Sequence, residues 1–395
     1  MKKFALFLLC SALAHAVCFA EVSPNELNRV FGINFLQDEN LWDDSAEDFI
    51  KRLGAKFEDT TLADGTLYTT YAKGKVLGAD IEQLRFKEVN KKVAQVDMVF
   101  FNKGDSIDGK KWTPQAQRKM RTQWQALEKT LNELAGKGKN GTWGFGRVKN
   151  KAEIWTYENF VFSLEVKPKE FIILHITPVG VTPTANEKTV VSDEFDGKVN
   201  IRKNDNGDVY IANIPMIDQG PKGYCVPATI ERILKYYNIP NIDMHKIATV
   251  CKTQVGGGTT LQSVMSDFKK VGNTFKLKMT NLSGFSINSI STVVDKGIPI
   301  CWALFSPDPY IKRMLENTDK RQSESDFNAY CKFLKEQPKL PKKLDGAHLC
   351  LIIGYNKKSK ELAVSNSWGE RFEITWVRFE DAKQVSRNTF YINPR

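Results

Sequence analysis

The sequence has little of what would define several whole protein classes. Seven cysteines in 395 residues are too few for a small disulfide-held scaffold, so hydrophobic burial must supply most of the stability. Beyond the first twenty residues the longest apolar stretches run only about eight residues, as over 349–355, far short of the roughly 20 that cross a bilayer, so no stable membrane insertion is expected. Zinc-finger spacing, an RNA-binding aromatic motif and a polybasic tail are all missing, and nucleic acid is not an expected partner. Internal repeats and long low-complexity tracts are missing too. Residues 255–260, Val-Gly-Gly-Gly-Thr-Thr, lack the Gly-Lys-Ser/Thr ending of a phosphate loop and read as a turn in which Thr259 or Thr260 caps a helix to about residue 271. Nothing points to a cofactor or a metal.

What is present is ordinary globular composition, 42% hydrophobic and 26% charged, with length for two or three cores at about 150 residues each. The first twenty residues stand apart. Lys2 and Lys3 precede an apolar run from residue 4 to 17, followed by small residues at spacings a signal peptidase accepts, Ala14-His15-Ala16 and Cys18-Phe19-Ala20. This reads as an export signal cleaved after Ala20 or Ala16, giving a periplasmic or extracellular protein. Cleavage after Ala20 removes two of the +11 formal charges and leaves +9, divided as −1 over residues 21–200 and +10 over 201–395. All five remaining cysteines, Cys225, Cys251, Cys301, Cys331 and Cys350, fall in the basic half. In an exported chain the odd count suggests one free thiol with up to two pairs among the others, whose connectivity the sequence leaves open; the same four serve equally as small buried hydrophobes.

Residues 21–185 read as an α+β domain. Ser23-Pro24 opens a short helix, and Ser45 with Asp48 forms a capping-box start for a helix toward residue 53. Strands are expected over 67–71, 76–87 and 93–101. Thr113-Pro114 then caps a long helix carrying Met120, Trp124, Leu127, Leu131 and Leu134 on one face, a core stripe. A Gly/Lys/Asn loop over 136–146 precedes strands at 154–157, 160–166 and 171–176. Residues 186–207, poor in apolar periodicity, read as a linker, and 208–395 as the second domain.

The chemistry lies in that second domain. Ile214-Pro215-Met216-Ile217-Asp218-Gln219-Gly220-Pro221-Lys222-Gly223-Tyr224-Cys225 runs into a helix whose apolar face is Val226, Ile230, Ile233, Leu234 and Tyr237. Pro227 belongs in the first turn, which seats Cys225 at the helix N-terminus, where unpaired amides and the positive dipole end favour a thiolate. Gln219, six residues earlier, is placed to offer its amide where an oxyanion would form. Taken alone, Cys225 is equally a buried structural cysteine. More than 120 residues on, His348 opens a strand over 349–355, and a second strand at 362–365 runs into Asn366-Ser367-Trp368-Gly369. A hairpin of that length sets His348 and Asn366 at one end of adjacent strands. His348 then takes the thiol proton and later protonates the leaving amine, Asn366 orients the imidazole, and Trp368 shields their hydrogen bond from water. His175 and His245 lack such company.

The order Gln219, Cys225, His348, Asn366, together with the Asn366-Ser367-Trp368-Gly369 tetrapeptide, resembles the papain-like cysteine peptidases. The Ile214-Pro215 lead-in and Cys225-Val226-Pro227-Ala228, followed by a Tyr-Tyr-Asn-Ile helix end, are most similar to the bacterial branch that includes the bacteriocin-leader-processing peptidases. The resemblance covers roughly residues 210–395 and implies a helix bearing the cysteine packed on an antiparallel sheet bearing His and Asn, with Cys225 as nucleophile, His348 as base and acid, Asn366 as orienter and Gln219 in the oxyanion hole. Lys222-Gly223-Tyr224-Cys225-Val226 departs from the Cys-Gly-Ser-Cys-Trp of papain itself. Asn366 and the missing membrane spans and nucleotide motif depart from transporter-linked leader peptidases. Residues 21–180 do not resemble the helical inhibitory prodomain of papain-like zymogens and are matched to no family.

The expectation is an exported cysteine peptidase acting on protein or peptide substrates through an acyl-thioester. The alternatives are a papain-fold amidase or acyltransferase on cell-wall peptides or glutamine side chains, and an inert binding protein. A basic set between residues 305 and 348, Lys312, Arg313, Lys320, Arg321, Lys332, Lys335, Lys339, Lys342 and Lys343, reads as solvated faces of two helices. The sharper alternative is a lid beside the cleft that prefers acidic substrate.

Overall fold

A computed structural model of the chain describes residues 25–395 apart from 38–39, 63, 108–110, 145–147, 182–194, 222, 240–241, 257 and 343–344. The expected export signal and the first part of the expected linker lie outside the described residues. Two eight-stranded sheets, each with its own apolar cluster, carry the chain in the expected α+β class.

In the N-terminal half most elements begin where their capping residues stand. Asn25 caps α1 (Glu26–Phe31) and Ser45 caps α2 (Ala46–Leu53), its hydroxyl accepting the Asp48 N–H at 3.2 Å. β1 (Glu58–Leu62) and β2 (Gly65–Tyr71) follow. The strand expected over 76–87 is interrupted: β3 (Lys75–Val76) and β4 (Ala79–Asp80) make a tight hairpin before β5 (Gln83–Val89). Its turn is Leu77-Gly78, with φ of 54° and 76°, and the apolar Leu77 disguised it because that side chain is fully buried. β6 (Lys92–Asn102) leads to α3 (Pro114–Ala135), capped by Thr113. The core face of α3 is turned slightly from the expected stripe. Met120, Leu127 and Leu131 are buried, but Trp124 is 40% exposed, and Gln123 takes the inner place, where its amide binds the backbone N–H and carboxylate of Asp80 at 3.0 and 3.2 Å.

The expected loop over 136–146 contains an edge strand, β7 (Lys139–Trp143), ahead of β8 (Asn150–Tyr157), β9 (Phe160–Lys167) and β10 (Phe171–Pro178). The one glycine of β7 is a packing residue: a Cβ on Gly141 would lie 2.2 Å from Ile154 Cδ1. The sheet order is β1-β2-β5-β6-β10-β9-β8-β7, antiparallel throughout. Alternation along the strands sends Leu84, Phe86, Leu174 and Ile176 into the core shared with the helices. The opposite face carries Arg85, Asp97, Glu165 and His175, which are buried or nearly so against the C-terminal half.

In that half β11 (Ile201–Lys203) and β12 (Asp208–Ile211) already belong to the second sheet, so the strand begins inside the expected linker. Then come α4 (Cys225–Tyr236), α5 (Met244–Val250), α6 (Leu261–Ser263) with Thr260 as cap, a π-helical turn at Val264–Phe268, α7 (Lys269–Thr274), β13 (Leu277–Asn281), α8 (Ile287–Val294) and β14 (Ile300–Phe305). α9 (Asp308–Ser323) and α10 (Phe327–Glu336) precede β15 (Ala347–Asn356), β16 (Glu361–Ser365), β17 (Thr375–Arg378), α11 (Phe379–Val385) and β18 (Ser386–Pro394). β15 is the hub, paired with β12, β14 and β16, and α4 lies across it over Ile230, Ile233, Trp302 and Ile352.

α9 packs on β17 and buries Tyr310, Met314, Asn317 and Thr318. Five of the nine basic residues in this insertion stand in ion pairs. Lys312–Glu316, Lys320–Glu324 and Lys332–Glu336 run along helix faces, while Arg313 reaches Asp381 and Arg321 reaches Asp208 and Glu361. Lys343 lies outside the described residues. All five cysteines are free thiols, four of them buried as small apolar groups.

The edge-strand role of Gly141 has a measurable consequence. Gly141→Val must push Ile154 aside, and the urea-unfolding free energy is expected to fall by about 1–3 kcal/mol, the usual cost of overpacking. An unchanged midpoint would mean that β7 does not lie on β8.

Candidate active site

Cys225 begins α4, with Tyr224 at the cap position and the Tyr224 carbonyl accepting the Ala228 N–H at 2.9 Å. Pro227 occupies the first turn, where a missing N–H leaves no helical bond unmade. Of the five described cysteine residues Cys225 is the least buried, followed by Cys331 at 9% exposure, while the Cys225 sulfur itself is enclosed. Its sulfur is surrounded by backbone donors: the N–H groups of Leu349, Val226 and Cys225 itself. The Leu349 contact sets the sulfur against β15, one residue from His348.

His348 and Asn366 meet as the hairpin length suggested. β15 and β16 pair in the register Leu351↔Ser365, and His348 Nε2 lies 3.0 Å from Asn366 Oδ1. A carbonyl oxygen only accepts, so Nε2 carries the hydrogen and Nδ1 keeps its lone pair for a proton. The other end of the Asn366 amide donates to Met314 Sδ at 3.9 Å, which fixes the side chain's orientation and gives α9 a role behind the site. Trp368 stacks on the imidazole with ring centres 4.2 Å apart and planes 27° from parallel, and its own edge meets Phe372. His348 is 7% exposed.

Gln219 is held from the hairpin side. Its N–H donates to the Ser367 carbonyl at 2.9 Å, and its Oε1 accepts the Ser367 hydroxyl at 2.9 Å. A side-chain amide donates only through its NH₂, and that is the end that would serve an oxyanion. Ser367 was visible in the sequence only as part of a tetrapeptide; its grip on Gln219 is a tertiary fact. Arg232 was not legible at all. One helix face away from the expected apolar stripe, it is fully buried, and its guanidinium donates to the Pro215 carbonyl at 2.8 Å, to the Ser365 carbonyl at 3.3 Å and to the Ser365 hydroxyl. Beside the nucleophile's turn the Gly258 N–H donates to the Gly223 carbonyl at 3.0 Å.

Burial opposes the helix terminus at the nucleophile. It pushes the Cys225 thiol above its ordinary value despite the three backbone N–H groups that favour its anion. Burial also holds His348 down to about 4, against the Asn366 hydrogen bond. Desolvation thus disfavours the charged form of both groups.

Residues 211–390, somewhat under half of the chain, match the model of the Peptidase_C39 like family. Xylellain, a cysteine protease from Xylella fastidiosa, is a solved structure to which the chain is similar at 13% identity and a TM-score of 0.30, over 53% of this chain and 93% of that one. A likeness so slight carries no part of the argument. No curated protein matches the chain.

The depressed imidazole pKa links the site to stability. Between the ordinary His value of 6.5 and about 4, the unfolded chain binds a proton that the folded protein does not, so this residue makes stability fall as pH drops through that window. In His348→Gln the unfolding free energy is expected to lose about 2 kcal/mol less than in the parent between pH 7 and pH 4.5. Equal losses in urea titrations at the two pH values would mean that His348 is not held neutral.

Proposed function

We propose that the papain-like half hydrolyses peptide bonds of protein or peptide substrates through an acyl-thioester on Cys225. The observation that carries this reading is the His348–Asn366 hydrogen bond at 3.0 Å, beside a free cysteine at the start of α4 whose sulfur lies against the same strand. Nδ1 of His348 accepts the thiol proton as sulfur attacks the substrate carbonyl carbon. The resulting oxyanion takes the Gln219 amide and the Cys225 backbone N–H. Collapse expels the amine, which leaves with the proton from His348. Water then attacks the thioester with His348 as base, releasing the acid and restoring the thiol.

Burial disfavours charge on both groups, and proton transfer belongs to the attack itself. Asn366 keeps the ring in the plane that both proton transfers need, and Trp368 covers the hydrogen bond. A free, half-buried Cys225 favours an enzyme over an inert binding protein. Export through the N-terminal segment completes the reading, which puts the substrate outside the cytoplasm.

Iodoacetamide labelling of the native mature protein, with peptide mapping, tests the nucleophile. Cys225 is expected to react selectively, and His348→Ala is expected to slow that reaction. Cys225→Ala is expected to abolish hydrolysis of fluorescein-labelled casein, and Gln219→Ala to lower turnover by about 10²–10³-fold, as for other oxyanion donors. Alkylation spread over the buried cysteines, or casein turnover surviving Cys225→Ala, would overturn the reading.

A further inference from the structure

The segment that brings Gln219 to the site runs between the two halves of the molecule and is gripped from both. On the C-terminal side it is bound by Ser367 and Arg232. On the N-terminal side the Thr60 hydroxyl of β1 donates to the Met216 carbonyl at 2.6 Å, and the Tyr71 hydroxyl at the end of β2 donates to the Asp218 carbonyl at 3.3 Å. The two accepting carbonyls lie three residues and one residue before Gln219.

Gly220, the residue after it, is pressed on the same tyrosine. Its φ is +66°, and a Cβ there would come within 2.5 Å of the Tyr71 hydroxyl oxygen and 2.8 Å of its Cζ. The turn is closed by the Asp218 carboxylate, which accepts the Gly220 N–H at 2.8 Å. Tyr71 thus touches the backbone on both sides of Gln219, while Gln219 faces the hairpin.

The contact is anchored by a buried apolar cluster that crosses between the halves: Leu67 of β2 with Ile217, Tyr224, Ala228, Met244 and Ala248. Tyr224 immediately precedes the nucleophile and is itself buried in this cluster. Arg85 to Asp243 at 3.1 Å and Lys246 to Glu165 at 3.2 Å add buried ion pairs across the same boundary.

Building on the peptidase reading, we infer that the N-terminal half is a fixed wall of the oxyanion site and that Tyr71 is a positioning residue, setting the place of the Gln219 amide through the Asp218 carbonyl and the Gly220 backbone. The half is then part of the working enzyme. A removable inhibitor would stand across the cleft; this contact supports the backbone behind it.

The test uses the full mature chain and fluorescein-labelled casein. Tyr71→Phe deletes only the hydroxyl. It is expected to lower kcat about tenfold with KM within twofold, and to leave the rate of Cys225 alkylation by iodoacetamide unchanged, because alkylation forms no oxyanion. In a Gln219→Ala background Tyr71→Phe is expected to cause no further loss, since the amide it positions is gone. Gly220→Ala, which pushes on the same backbone from the other side, is expected to show the same split. Unchanged kcat in Tyr71→Phe, a parallel loss of alkylation, or losses that multiply in the double variant would overturn the proposal. Absence of casein turnover in the parent would instead overturn the peptidase reading on which it rests.

Discussion

Arg232 leaves α4 near the middle of the helix that Cys225 begins and is wholly buried. A buried charge is tolerated only where its donors are used, and this guanidinium is pushed down to about 10 by burial. Its partners are backbone and hydroxyl oxygens at Pro215 and Ser365. Pro215 lies four residues before Gln219, and Ser365 is the residue before Asn366. One side chain therefore fixes the helix of the nucleophile, the segment of the oxyanion donor and the strand of the orienting amide relative to each other. Remove it and two carbonyls lose their donors in an apolar interior, at about 1–3 kcal/mol each. The sulfur, the imidazole and the two amides keep their spacing because the backbone beneath them is tied at this point.

A second layer of constraint comes from the helix-free face of the N-terminal sheet. His175 sits between Asp97 at 2.7 Å and Glu165 at 3.0 Å and stacks on Trp143, with ring centres 4.0 Å apart. Burial works against its charge, but the two carboxylates outweigh it and raise its pKa. Arg85 between Asp97 and Asp243, and Lys246 against Glu165, extend this polar layer across the boundary, around a cavity of about 450 Å³. Asp243 also caps α5, accepting the His245 and Lys246 N–H groups. Charge pairs of this kind fix relative orientation more than they add stability, because their desolvation offsets most of the attraction. They hold β1 and β2 where Thr60 and Tyr71 meet the segment that carries Gln219.

Much of this was legible because the signal was local. Ser45 and Thr113 stand where their side chains satisfy orphan N–H groups, and α2 and α3 start there. The chemistry-bearing residues were legible for a different reason: a hairpin's strand lengths set which residues face each other, so His348 and Asn366 follow from counting along β15 and β16. The misreadings share a cause. Leu77 looks like a strand residue and makes a turn, Gly141 looks like a loop residue and lies in a strand, and Trp124 looks like core and yields its place to Gln123. In each case a neighbour distant in sequence decides.

By itself the sequence determined the α+β class, the helix that starts at Cys225, the hairpin that joins His348 to Asn366 and the turn that carries Gln219, since each rests on periodicity, caps or spacing within a few tens of residues. The burial that works against charge on the pair was decided only by the tertiary structure. Helix position alone argues for a thiolate, and the burial that opposes it depends on what packs around the sulfur. The same holds for Arg232, Ser367, Met314 and Tyr71. Their side chains act on backbone or amide groups that chain folding brings to them from more than fifteen residues away, and in Tyr71's case from the other half of the molecule. No local pattern encodes a hydrogen bond whose acceptor is the carbonyl of an unrelated segment, because every residue offers the same carbonyl and only the fold selects one.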